Sequence, residues 1–187
     1  MESTKVADSD PQQVIEATQQ WLDKAVIGLN LCPFAGAVRR SGSIRFVCSG
    51  AGDEADLLAE LQAELQLLAK ADPADIETTL LIHPGVLADF FDYNDFLGIA
   101  DACIESLGLD GEIQIASFHP DYRFDGSEPD DIDNYSNRSP YPMLHLLREA
   151  SVERALRGVA DPDEIYRRNI KTLRRLGHDG WRKLFGR

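Results

Sequence analysis

A chain of 187 residues is long enough for one domain with its own core, and a formal net charge of −13 argues against nucleic acid as a partner for its body. No apolar run approaches the roughly 18 residues of a membrane span, and the polar, acidic start MESTKVADSDPQQ lacks the basic head and apolar stretch of a signal peptide. Three widely spaced cysteines, Cys32, Cys48 and Cys103, point to reduced thiols, so a cytoplasmic protein is expected, with a flexible stretch over 1–12 and a single domain over 13–187.

Val14, Ala17, Trp21, Ala25 and Leu29 recur at helical spacing and predict a helix over 12–29. Pro33 suits the first position of a short helix over 33–40, which would set Cys32 at its N-cap. There the helix dipole favours a thiolate and a nucleophile; the alternative is a small buried hydrophobe. SIRFVC (43–48) predicts a short strand. Asp53 caps a helix over 53–70 that carries Leu57, Leu61, Leu65 and Leu68 on one face. IETTLLIH (76–83) predicts a second strand. Asp89 caps a helix through Leu107, with Phe90, Tyr93, Leu97, Ala100 and Ile104 inward and Gly108 ending it. GEIQIASFH (111–119) predicts a third strand.

The acidic loop to Arg138 holds Asp121, Asp125, Glu128, Asp130, Asp131 and Asp133 without calcium-loop spacing. It reads as a solvated lid, with DYRF (121–124) as a candidate edge strand. Ser139 as N-cap and Pro140 after it predict a helix over 140–157. A helix over 163–176 and a tail around Trp181 follow.

Strands alternating with helices of crossover length predict an α/β fold. It would be a single domain, with a small mainly parallel sheet of three to four strands, flanking helices and a helical C-terminus. An α+β arrangement with an antiparallel pair is the alternative. In a parallel sheet the strands end on one side, at Cys48, His83 and His119, and open α/β sheets bind ligands outside such ends. Each histidine precedes a proline, which turns the chain away and keeps the residue before it in line with its strand.

The charge is uneven. From Glu164 onward eight basic residues stand against two acids, a net of +6, so the rest of the chain carries −19. Docking of this basic helix onto the acidic body is expected; an external acidic partner is the alternative.

Reactive residue types gather at these element ends. Cys32, His83, His119, Asp121 and His145 are the candidate catalytic groups, and Asn137, Arg138, Ser139, Arg148 and Glu149 the candidate substrate-binding ones. Pro140 and Pro142 remove backbone donors from the predicted helix start, so Arg138 and Arg148 would have to hold an anion. His145 and Glu149, four apart, would share a helix face. The expectation is an enzyme acting on a small anionic metabolite. A metal-dependent hydrolase, with His83, His119 and His145 holding a divalent metal such as zinc, is the second reading. A binding or regulatory module without turnover is the third. The expected partner is a small anionic ligand, with no nucleic acid and no membrane; a homo-oligomer is compatible with the sequence.

The runs VIGLNLCPFA, IQIASFHPDYRF, NRSPYPMLHLLREASVERAL and RRNIKTLRRLG resemble the bacterial family of unknown function numbered 1415, from about Trp21 to Gly177. The resemblance implies no reaction. It does imply motif positions at Cys32, His83, His119, Asp121, Asn137, Arg138, Ser139, His145, Arg148 and Glu149. Cys48 lies outside them, which weakens a zinc site built from Cys48, His83 and His119.

Overall fold

Three helices begin where an aspartate can satisfy their free amides. Asp10 accepts from Gln12 N (3.1 Å), Asp53 from Asp56 N (2.9 Å), and Asp89 from Phe91 N and Asp92 N (2.8 and 3.3 Å). The structure, a computed structural model, describes residues 10–157, 161 and 163–186. The expected flexible stretch over 1–12 lies outside the described residues up to position 9; beyond it, Pro11 already opens a helix.

Helix α1 (Pro11–Trp21) runs into a π-helical segment, Leu22–Ile27, so the helix expected over 12–29 is two pieces. Then come α2 (Ala35–Ser41), β1 (Ile44–Cys48), α3 (Glu54–Lys70), β2 (Thr78–Ile82), α4 (Phe90–Ser106) and β3 (Ile113–Phe118). A 3-10 turn covers Ile132–Ser136. It is followed by β4 (Met143–Arg148), α5 (Glu149–Leu156) and α6 (Asp163–Leu184), which breaks at Gly177, where φ is 65°.

The sheet has four strands in the order β1-β2-β4-β3. β1 and β2 are parallel, whereas β4 runs antiparallel to both β2 and β3. The sheet is therefore mixed, not mainly parallel. Its direction rule still holds for the three expected strands: β1, β2 and β3 point the same way, and β4 fills the gap between β2 and β3 in reverse. The helix expected over 140–157 is the largest correction. Met143–Arg148 is a central strand, hydrogen-bonded on both sides, and only Glu149–Leu156 is helical.

The two sheet faces build separate cores. Leu81, Leu144, Leu146 and Ile113 pack with Leu57, Leu61, Leu65 and Leu68 of α3 and Tyr93, Phe96 and Ala100 of α4. Leu80, Ile82 and Met143, on the other face, pack with Val14, Trp21, Ala25 and Val26. Phe34, Val38 and Leu147 extend that side toward Val152 and Ala155 of α5. Phe90 and Leu97, expected inward, are half-buried, and Phe96 takes the deeper place.

The acidic loop is built rather than merely solvated. Asn134, fully buried, accepts from Phe124 N and Ser127 Oγ and donates to Glu128 O. Tyr122 N donates to His119 O and Ser127 N to Phe124 O, so turns satisfy these amides and DYRF forms no edge strand. Helix α6 docks on this loop. Arg174 bonds Asp133 through two nitrogens (3.0 and 2.6 Å), His178 Nε2 donates to Asp130 O, and Asn169 donates to Leu31 O. Leu173 is fully buried beneath it. Among the described residues no helix is long and apolar enough to cross a membrane.

Candidate functional site

The strand ends do meet at one edge. His83 and His119 follow β2 and β3 there, 1% and 0% exposed, with the Tyr93 ring close to both (centroids 5.8 and 5.1 Å). Their nitrogens bond the turn between β2 and α4. His83 Nδ1 donates to Val86 O (3.0 Å). His119 Nδ1 accepts from Asp121 N (3.0 Å), so its Nε2 carries the proton and donates to Leu87 O (3.1 Å). Leu87 sits at φ 58°, an uncommon conformation for a bulky residue, and the imidazole holds its carbonyl. Burial pushes the His83 imidazole down to about 4 and lowers His119 as well, so both are neutral struts at neutral pH. His83 Nε2 is buried without a partner among the described residues.

The histidine triad expected for a metal does not assemble. His145 lies in β4 opposite Leu80 and Ala116, on the α1 side of the sheet, whereas His83 and His119 pack against Tyr93 on the α4 side. Cys48 packs with the α1-side core as well. Among the described residues no group of three or more His, Cys, Asp or Glu is placed to hold a metal ion.

The expected substrate-binding set splits in two. Residues 137–142 run along the histidine edge: Asn137 O accepts from His119 N, Ser139 N donates to His119 O, and Pro142 O accepts from His83 N. Ser139 caps no helix, because a strand follows; its hydroxyl donates to Tyr141 O (2.6 Å). Asn137 donates to Ser117 O (3.0 Å). Arg138 donates from Nε to Tyr122 O (3.3 Å) and from Nη2 to Pro129 O, and lies 4.6 Å from the Tyr135 ring centroid. Asp121 is exposed, and its amide rather than its carboxylate meets His119.

Arg148 and Glu149 stand at the far end of β4. The Arg148 guanidinium donates to Leu68 O, Ala71 O and Ile76 O (2.7, 2.8 and 3.1 Å), tying down the C-terminus of α3, where a cation also suits the helix dipole. Glu149 opens α5, and its amide donates to Glu112 O (2.9 Å). With His145 in a strand, the shared helix face of His145 and Glu149 does not exist.

Cys32 and His145 come together instead. Both line a cavity of about 40 Å³, walled by Trp21, Leu80 and Phe118, and an adjoining one of about 160 Å³, walled by Leu147, Val152 and Leu156. Thr78, opposite Leu147 on β2, donates its hydroxyl proton to Leu146 O (2.6 Å) and so accepts from His145 Nε2 (2.8 Å). That fixes the tautomer and leaves Nδ1 with its lone pair. Burial pushes the His145 imidazole down to about 4. Cys32 lies just before α2, whose first helical residue is Ala35, so it is not the N-cap. The backbone amides of Phe34 and Ala35 favour its thiolate, but burial outweighs them and the thiol is pushed up. The resting pair is thus thiol and neutral imidazole. Thr78 escaped the sequence reading, because a threonine in an apolar strand looks like ordinary β-propensity.

The family model described as "Protein of unknown function (DUF1415)" matches residues 13–183, nearly the whole chain, and the chain belongs to that family. No curated protein and no solved structure matches it.

Proposed function

We propose that this protein is an enzyme in which the Cys32 thiol attacks a small, largely uncharged electrophile, with His145 as general base. The observation that carries this reading is that both residues line the same two adjoining cavities, with the His145 tautomer held by Thr78. Nucleophile, base and an orienting group are the parts that thiol catalysis requires. With the thiol raised and the imidazole lowered, a standing thiolate–imidazolium pair is disfavoured. The proton leaves sulfur for Nδ1 as the sulfur–carbon bond forms and the electrophile's double bond at that carbon opens, its electron pair moving to the far atom. The apolar lining supports an uncharged reacting portion, since Arg148 is engaged with α3 and Arg138 lines neither cavity.

The test is labelling by acrylamide, a small neutral electrophile, followed by mass spectrometry at Cys32, Cys48 and Cys103 across the pH range. The expected result is a Cys32 rate that stays level through neutral pH, because His145 is already neutral there, and that falls at least about tenfold in His145→Gln. A Cys32 rate that simply follows hydroxide and ignores His145→Gln would remove the reading.

A further inference from the structure

A third cavity, of about 320 Å³, opens between α1, the acidic loop and the end of α6. That volume is in the range of small-molecule sites. Four rings line it: Trp21, Tyr135, Trp181 and Phe185. Three of them form a chain, with Tyr135 and Trp181 edge to face at 5.1 Å and Trp181 and Phe185 at 5.8 Å, and Trp21 stands on the α1 side. Such a wall favours a flat ring, which can stack or meet edges without losing rotational freedom of its own.

Arg138 supplies the charge. Two of its three nitrogens bond the carbonyls of Tyr122 and Pro129, and its plane rests by Tyr135, so the side chain is held before any ligand arrives. Its Nη1 makes no hydrogen bond among the described residues. Gln20 adds an amide on the α1 side. The Trp21 indole N–H, in a residue 3% exposed, is buried without a partner among the described residues. Asp133, the acid in the 3-10 turn beside Tyr135, is matched by Arg174, and Lys24 stands 6.0 Å from the Phe185 ring. On a chain of net charge −13 this wall is locally receptive to an anion.

We propose that this cleft binds a small planar aromatic carboxylate, its ring among the four aromatic side chains and its carboxylate on Arg138 Nη1. The site is separate from the one that holds Cys32, although Trp21 walls both.

The chain has two tryptophans, Trp21 and Trp181, and both line the cleft. Benzoate is therefore titrated into the intact protein at constant ionic strength, and the two indole N–H resonances are followed by ¹⁵N NMR. Benzamide and acetate, which lack the charge and the ring respectively, are the comparisons. Benzoate is expected to shift both resonances saturably and to bind at least about tenfold more tightly than either, as one charge-assisted hydrogen bond implies. Arg138→Gln, which removes the charge, is expected to abolish the preference for benzoate over benzamide. Because Arg138 also ties the loop, the comparison of benzoate with benzamide on the unaltered chain stands whether or not that variant folds. Cys32→Ala is expected to bind benzoate as the unaltered chain does, so the cleft and the thiol reading fail separately. Unmoved resonances at the highest soluble benzoate concentration, or equal binding of benzoate and benzamide, would overturn the proposal.

Discussion

Thr78 sets the chemistry of His145. Its Oγ1 lies 2.8 Å from His145 Nε2 and 2.6 Å from Leu146 O, and one hydroxyl proton cannot serve both. The carbonyl has no proton to offer, so it accepts, and the imidazole donates. A residue of β2 thereby decides which nitrogen of a β4 histidine keeps its lone pair.

Thr78→Val keeps the shape and removes the hydroxyl. The expected result is a mixture of imidazole tautomers in the ¹⁵N spectrum of His145, where the unaltered chain shows Nε2–H alone. Stability should fall by about 1–3 kcal/mol in urea unfolding, because two buried groups lose a partner. A tautomer mixture in the unaltered protein would contradict the geometry.

Acid should destabilise the fold through its histidines. Unfolded imidazoles titrate near 6.5, whereas His83 and His145 are held down at about 4 and His119 is lowered too, with Asp121 and Asp89 partly offsetting the burial. Below the unfolded value the unfolded chain takes up protons that the folded one refuses. Stability is therefore full above about pH 6.5 and falls toward pH 4. His83, 1% exposed, accounts for roughly 3 kcal/mol of that loss. Urea midpoints from about pH 7 to about pH 4 check this, and His83→Gln should flatten the slope. An unchanged slope would mean that His83 titrates alike in both states.

Arg148→Met should cost about 2–4 kcal/mol, since Leu68 O and Ala71 O at the end of α3 and Ile76 O before β2 lose a half-buried charged donor. Arg148→Lys should recover only part, because the shorter lysine stem sets its ammonium short of the place that Arg148 Nη2 holds among the three carbonyls. If both variants melt with the unaltered chain, the clamp is not structural.

A chain ending at Arg157 lacks α6 and should melt lower, because the Leu173 and Trp181 contacts on the body are lost. Salt should weaken the docking only modestly: the Arg174–Asp133 pair is exposed on its arginine side, and exposed pairs are screened. An unchanged melting temperature on truncation would place the basic helix in the service of an external partner.

Local rules carried much of this fold. Aspartate before an apolar period of 3.6 marked α3 and α4 at Asp53 and Asp89. The His-Pro ends of two β-rich runs marked one edge of one sheet. The basic charge of α6 pointed to the acidic body, because opposite charges are legible without coordinates; that the acidic loop receives it is a matter of tertiary structure. What these rules could not supply was β4. Met143–Arg148 is apolar except at His145 and Arg148, and a short apolar run suits a buried helix as well as a central strand. Ser139 and two prolines then looked like a helix start. The ambiguity is settled only by neighbours: β2 and β3 leave a gap whose unpaired amides and carbonyls a reversed strand can satisfy on both sides. That pairing sends alternate residues to opposite faces. It puts His145 in the cavities that Cys32 lines rather than with His83 and His119, and it carries Arg148 to the far end of the sheet, away from Arg138. Which reactive groups share a cavity is therefore a property of strand pairing, and pairing depends on residues too far apart in the chain for any local pattern to record.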